Sequence, residues 1–219
     1  PTLIVDDFFT DPHAVVELSK TFKYTRAENG RWPGTRSPPL HEADRDFFLW
    51  STQKIMALLY PMDRAEMTWE GTQHFACIPY NTYGDDGKTY GDEGWVHNDV
   101  GREFTSIIYL SNHSQSGTCL YEGKHFNTLP EYQEEKERFY RELKDRERTE
   151  KYKDKNNSKF HKKVELFSNF NRLVLFDSYH WHAFKNSGAD KEDRLTLITF
   201  FNNIRCKHLQ FPIAAMRRI

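Results

Sequence analysis

Residues 171–184 read NRLVLFDSYHWHAF. RLVLFD (172–177) has the composition of a short strand, and HWHAFK (180–185) is a second strand directly after it. His180 and His182 stand two apart on that second strand. Alternation along an extended chain puts both on one face, so periodicity does not choose between them. The neighbourhood repeats this pattern. FTSIIYLS (104–111) is a well-marked strand, and 118–121 and 194–203 are others. Residues 68–79 alternate, and 94–99 form a short strand after a Gly/Asp/Tyr-rich loop over 81–93. Many short strands separated by turn residues imply a sandwich or a barrel.

Flanking segments differ. Residues 3–9 read as a strand. Thr10-Asp11-Pro12 is a helix start, a capping residue followed by Pro at the first helical position, and the helix runs over 12–22. Residues 27–40, with Gly30, Pro33, Gly34, Pro38 and Pro39, form a loop. A second amphipathic helix spans 42–60 and buries Phe47, Leu49 or Trp50, Ile55, Leu58 and Leu59. Residues 129–163 are dominated by charged side chains. The first part is helical, with opposed charges three or four apart, and KDKNNSKFHKK (153–163) reads as loop. The segment is an excursion between two core strands: a solvated flap, or a lid or partner-docking arm. The chain is read as one domain, 1–219. It has an N-terminal strand and helices over 1–66, a core over 67–123 and 164–205, and a charged insertion over 124–163.

Bulk properties narrow the function. There are 31 basic and 32 acidic residues, a formal net charge of −1, and the bases of the excursion are matched by acids. No single-sign stripe exists to favour nucleic acid or an anionic membrane. Cys77, Cys119 and Cys206 include no CxxC pair, which argues against a disulfide framework or a thiolate zinc site. Residues 1–6 lack the basic and long apolar runs of a leader, and no stretch reaches transmembrane length. A soluble cytoplasmic protein is expected.

Three features carry chemistry. His97-Asn98-Asp99 places an imidazole and a carboxylate on one side of an extended chain. Alone it is a weak signal, since a surface His beside a turn Asp looks the same. A later histidine, His180 or His182, would complete two histidines and one carboxylate, a set that leaves positions open on iron(II). Arg194 and Thr196 also project to one side. A guanidinium facing a sandwich interior needs an anion, although a surface Arg194 paired with Asp190, Glu192 or Asp193 reads equally well.

In this order the features resemble the iron(II)/2-oxoglutarate oxygenases, in particular the prolyl-4-hydroxylase-like group. The matching stretches are ACIPYN (76–81), GWVHND (94–99), TSIIYLSNH (105–113), GTCLYEG (117–123), NRLVLFDSYHWHAF (171–184) and DRLTLITFFN (193–202), and the opening LIVDDFFTDPHAVVEL is similar too. The resemblance implies a mainly β fold with flanking helices, its core a double-stranded β-helix (jelly roll, cupin-like). It implies that the metal is held by His97, Asp99 and His182, because the family's distal histidine lies six residues after the Phe that ends the preceding strand, here Phe176. It places Arg194, with Thr196 and Tyr109, on the 5-carboxylate of 2-oxoglutarate and Tyr80 in the same pocket. Iron(II), 2-oxoglutarate and O2, with ascorbate as a reductant, are the implied cofactors, and C–H hydroxylation is the implied reaction. Asp99 bears on the outcome, since related halogenases replace this carboxylate with a small residue. Ser111-Asn112, Thr118 in place of a second Gly, and the long excursion depart from the family's pattern, and none of them touches a proposed ligand. The substrate is expected to be a small molecule or a peptide of prolyl or amino-acid type. Trp95, Arg102, Trp181 and Trp32, the last in a loop with Arg31 and Arg36, are the candidate contacts. Two rivals differ in class: a cupin-like metal-binding protein or sensor without oxygenase activity, which does not need Arg194, and an interaction module using the charged helix.

Overall fold

Ten strands alternate with turns in the computed structural model, which describes residues 2–27, 32–60, 67–79, 93–112, 116–123, 134–138, 146–185 and 192–206. They are β1 (Thr2–Val5), β2 (Thr25–Arg26), β3 (Thr35–Arg36), β4 (Met67–Ile78), β5 (Phe104–Tyr109), β6 (Gly117–Gly123), β7 (Phe160–Phe167), β8 (Leu173–Asp177), β9 (Trp181–Lys185) and β10 (Arg194–Cys206). A major sheet has the order β1-β8-β5-β10-β4-β3-β2, and a minor sheet has the order β7-β6-β9. Every ladder is antiparallel. The two sheets face one another as a jelly roll. Ile107, Tyr109, Val174, Phe176 and Ile198 of the major sheet pack against Leu120 and Leu166 of the minor one. The outer face of the major sheet buries Phe75, Ile108, Leu173, Leu175, Leu197 and Phe201 beneath the N-terminal helices.

Those helices are α1 (Pro12–Lys20), α2 (Leu40–Ala43) and α3 (Arg45–Ala57). The Asp11 carboxylate caps α1 by accepting from the Ala14 N–H at 3.0 Å, as the Asp-Pro start predicts. The single helix expected over 42–60 is two helices. Asp44 leaves the helical region at φ −152° and caps α3 by accepting from the Phe47 N–H. The buried face is Phe48, Ser51, Thr52, Ile55 and Met56, while Leu49, Trp50 and Leu58 are exposed, so the expected stripe was displaced.

Two further expectations are corrected. Residues 153–163 are not loop: α4 (Arg146–Asn157) runs into them, and β7 follows from Phe160. The sheet therefore resumes four residues before the expected boundary at 164. β7 is an edge strand, and edge strands carry lysines that block further pairing. Lys162 pairs with Glu93 and Lys163 with Glu122, so the charge that looked like a solvated loop lies along a sheet edge. Residues 94–99 form no continuous strand and touch β9 through isolated bridges at Glu93↔Lys185 and His97↔His182. The reason lies in α4. The Asn156 side chain donates to the Val96 carbonyl, and the Asn157 amide accepts from the Val96 N–H and donates to the Gly94 carbonyl. Side chains thus take the backbone groups that a ladder partner would take.

Within the expected loop over 27–40, Thr35–Arg36 form β3, and the β2–β3 hairpin extends the major sheet past β4. Gly34 permits this approach. Its φ is +66°, and a Cβ there would lie 2.2 Å from the Cys77 carbonyl oxygen. Gly34→Ala should lower stability by at least about 1–3 kcal/mol from backbone strain alone, read as a reduced urea midpoint; an unchanged midpoint would show that the hairpin is not held against β4. The three cysteines are free. No helix among the described residues is long and apolar enough to cross a membrane.

Candidate metal centre

The minor sheet ends where residues 94–99 meet β9. His97 N–H donates to the His182 carbonyl at 3.0 Å, and His182 N–H donates back at 2.7 Å. This reciprocal pair sets the two imidazoles side by side, with ring centroids 4.5 Å apart. Asp99 completes the cluster, with Oδ1 3.8 Å from His97 Nε2 and Oδ2 3.4 Å from His182 Nε2. One ligand atom from each residue lies within 4.8 Å of the others, a spacing that can hold a metal ion.

Neighbours orient each group. His97 Nδ1 lies 2.9 Å from the Trp95 carbonyl and His182 Nδ1 2.9 Å from the His180 carbonyl. Each Nδ1–H donates to a carbonyl, which leaves the Nε2 lone pair facing Asp99. His180 therefore meets the site through its backbone, and His182 through its ring. Thr105 donates its hydroxyl to Asp99 Oδ2 at 2.7 Å and lies 2.9 Å from the Ser178 hydroxyl, while Asp99 N–H donates to the Ser178 carbonyl. Thr105 and Ser178 escaped sequence reading because only the β5–β8 register brings them beside Asp99.

The electrostatics favour the metal-binding protonation states. Burial, then Lys136, then His182 hold the His97 ring well below the ordinary histidine value of 6.5. Burial pushes the Asp99 carboxyl up, but His182, His97, the Thr105 hydrogen bond and Lys136 outweigh it, and the carboxyl is lowered from 3.8. The folded, metal-free protein keeps His97 neutral where the unfolded chain would take up a proton. Stability is therefore lost as pH falls below about 6.5. His74, lowered chiefly by burial, adds to the same window, and Asp99 adds a further loss below 3.8. Thermal unfolding from pH 7.5 to 5 should show a falling midpoint, with a shallower fall in His97→Gln; equal slopes would contradict this assignment.

Further along the same interior face, Thr196 pairs with Tyr109 in the ladder, and Arg194 stands two residues before Thr196. Arg194 is only 4% exposed and lies over the Tyr109 ring, 5.5 Å from its centroid. Its Nε has no hydrogen-bond acceptor among the described residues, and burial lowers its pKa. The Tyr109 hydroxyl is 2.8 Å from the Thr118 hydroxyl, and burial raises its pKa. The Thr196 hydroxyl reaches the Ala76 carbonyl at 3.4 Å. Ile107 is the one interior residue of β5 between Thr105, at the triad, and Tyr109, beneath Arg194.

The expected substrate contacts divide. Trp181 is corrected: it alternates with His182 and packs on the outer face of the minor sheet against Phe160, with centroids 4.8 Å apart. Arg102 donates to the Asn202 side chain at 3.0 Å. Trp95 is fully buried, and its carbonyl orients His97. Trp32 stacks under Arg36, 4.5 Å from centroid to guanidinium. Tyr80 and Arg31 lie outside the described residues. Sequence reading also missed the hold of Asn156 and Asn157 on the segment carrying His97. Asn157→Ala should weaken metal binding about 10-fold or more, the scale set by outer hydrogen-bond partners, read by calorimetric titration; wild-type affinity would show that α4 does not position His97.

Residues 96–201 match the model of a family of unknown function, DUF6445. No curated protein matches the chain in sequence. Among solved structures the fold is similar to that of SnoN, a non-heme alpha ketoglutarate dependent epimerase from nogalamycin biosynthesis, at 10% identity and TM-score 0.55 over 91% of this chain and 76% of that one. It is also similar to HygX from Streptomyces hygroscopicus with nickel, 2-oxoglutarate and hygromycin B bound, at 13% identity and TM-score 0.52 over 92% and 82%. At these identities the likeness establishes the jelly-roll fold. A Pseudomonas putida prolyl-4-hydroxylase gives a TM-score of 0.48 at 16% identity over 92% and 91%, which carries no argument for that group.

Proposed function

We propose that the chain is an iron(II)- and 2-oxoglutarate-dependent oxygenase, a hydroxylase of a small or peptidyl substrate of prolyl or amino-acid type, working as one domain. The observation that carries this reading is Arg194. A guanidinium buried on the face that also bears the His97–Asp99–His182 cluster, with its Nε lacking an acceptor among the described residues, calls for a carboxylate. A protein that only bound a metal would have no use for it.

The donor set fits iron(II): two imidazole nitrogens and one carboxylate leave open positions for a chelating co-substrate. Bound iron(II) and 2-oxoglutarate supply oxidative decarboxylation coupled to C–H hydroxylation. The chain's own residues do the rest. His97 and His182 present Nε2 in a fixed tautomer, and Asp99 contributes the charge, with Oδ2 tethered by Thr105. Arg194, flanked by Tyr109 and Thr196, would hold the far carboxylate of the co-substrate. Ile107, Leu120, Val174, Phe176 and Ile198 pack as an apolar cluster between the sheets, with the Phe176 ring 4.8 Å from that of His182, and would keep water from this side of the metal.

Purified protein supplied with iron(II), ascorbate, O2 and 2-oxoglutarate should form succinate, at a rate that rises with the right substrate. Failure to form succinate under any of these conditions, with iron bound stoichiometrically, would move the metal-binding sensor to the front.

A further inference from the structure

One turn reaches every member of the metal centre. Ser178, Tyr179 and His180 link β8 to β9. The Ser178 carbonyl accepts from the Asp99 N–H at 2.9 Å, and the His180 carbonyl lies 2.9 Å from His182 Nδ1. His97 joins through its reciprocal backbone pair with His182. The turn is itself fixed. Asp177 accepts from the Tyr179 N–H through Oδ1 at 2.9 Å and from the His180 N–H through its carbonyl at 2.8 Å. The Ser178 N–H donates to the Glu103 carbonyl at 3.1 Å.

Any residue at 178 would supply those backbone contacts. What serine adds is a hydroxyl in a fully buried position, and Thr105, only 2% exposed, adds another. Burying a hydroxyl costs free energy unless it finds a partner. Among the described residues Ser178 Oγ has one, Thr105 Oγ1 at 2.9 Å, and Thr105 Oγ1 also meets Asp99 Oδ2 at 2.7 Å. Counting protons fixes the direction of this chain. The ionised Asp99 carboxylate only accepts, and each hydroxyl has a single proton. Thr105 gives its proton to Asp99 Oδ2, and its oxygen is left to accept from Ser178. Both O–H dipoles therefore point toward the carboxylate, and in a buried site aligned hydrogen bonds strengthen one another. Asp99 Oδ1, 3.8 Å from His97 Nε2, accepts no hydrogen bond among the described residues and is left for a metal.

We infer that Ser178 and Thr105 are positioning residues of the metal centre, Ser178 acting through Thr105 and Thr105 through Asp99. The relay turns Oδ1 to the metal and draws electron density from the carboxylate through Oδ2. Asp99 becomes a weaker donor, and bound iron(II) becomes harder to oxidise. The inference rests on the oxygenase reading for the identity of the metal and extends it, since the β8–β9 turn then tunes the metal as well as holding its ligands.

The first test is calorimetric titration of the metal-free protein with iron(II) under argon. Thr105→Val keeps the shape and removes the hydroxyl, and should weaken iron binding about 10-fold or more, the scale of outer hydrogen-bond partners. Ser178→Ala should weaken it about 2–10-fold, the reach of one hydrogen bond. Thr105→Ser should keep the wild-type affinity. The Thr105→Val, Ser178→Ala double variant should bind no more weakly than Thr105→Val alone, because the relay is already broken. A cooperative thermal transition without metal shows that each variant folds. If Thr105→Val does not fold, Ser178→Ala decides: wild-type affinity there overturns the relay. Wild-type affinity in Thr105→Val, additive losses in the double variant, or Thr105→Ser as weak as Thr105→Val overturns it equally. The second test adds saturating 2-oxoglutarate. The metal-to-ligand charge-transfer band of Thr105→Val should move to longer wavelength than in the wild type, a shift that lost packing does not produce, and a band that stays in place overturns the tuning. No band in the wild type counts against the oxygenase reading instead, and the iron titration then still decides the relay.

Discussion

Replacing Arg194 with methionine raises the dissociation constant for 2-oxoglutarate by about 100-fold or more and leaves the ligand-free protein as stable as the wild type or more so. The two effects have one cause. Arg194 is a buried cation whose Nε lacks an acceptor among the described residues, with the Tyr109 side chain as its neighbour. In the ligand-free protein it carries a desolvation penalty, and an unbranched apolar side chain of similar length removes that penalty while filling the space. Once a carboxylate arrives, the balance reverses. Removing one partner of a buried charged pair costs about 3–5 kcal/mol, and each 1.4 kcal/mol is tenfold in affinity. Calorimetry gives the affinity and thermal unfolding without ligand gives the stability. A variant that loses both together would mean that Arg194 is structural, and one that loses neither would favour the metal-only reading.

Asp99→Ala abolishes tight metal binding, with a loss above the roughly 10–100-fold of outer-partner mutations, and abolishes succinate formation with it. Asp99 is the carboxylate of the cluster, and both Nε2 atoms face it. Without it an incoming dication meets two imidazoles and no negative charge from the cluster. His182→Ala should behave similarly. His180→Ala should stay close to wild type, because His180 meets the site through its carbonyl, which any residue supplies. Metal titration of the three variants separates these outcomes. Full hydroxylase activity in Asp99→Ala, or equal losses in the His180 and His182 variants, would remove the case for this triad.

Much of this was legible in the sequence because strand periodicity is local. The run 172–177 and the Arg194–Thr196 alternation encode which side chains share a face, and the sheets place them as that alternation requires, while His97 and Asp99 meet His182 from a segment that forms no continuous strand. The choice of His182 over His180 was not local, since an extended 180–185 would put both on one face, whereas His180 in fact lies in the turn before β9. It came from a resemblance, and what distinguishes the two in the structure is pairing with His97 across the sheet. The misreadings follow the same division. Residues 153–163 are so charged that propensity points to loop, yet β6 has an edge to fill and β7 fills it with its lysines turned to ion pairs. Residues 94–99 look like a strand, but their backbone is held by asparagines some sixty positions away. Lys136 reads as one charge among many until the fold buries it. Thr105, a small polar residue in an apolar strand, and Ser178, in the turn after β8, carry no mark until register sets them beside Asp99.

The most direct measurement is the visible spectrum of metal-free protein mixed anaerobically with iron(II) and 2-oxoglutarate, recorded beside His97→Ala and Arg194→Met. A metal-to-ligand charge-transfer band in the wild type that disappears in the His97 variant and weakens in the Arg194 variant is the predicted result. Stoichiometric iron binding with no such band in the wild type would contradict it.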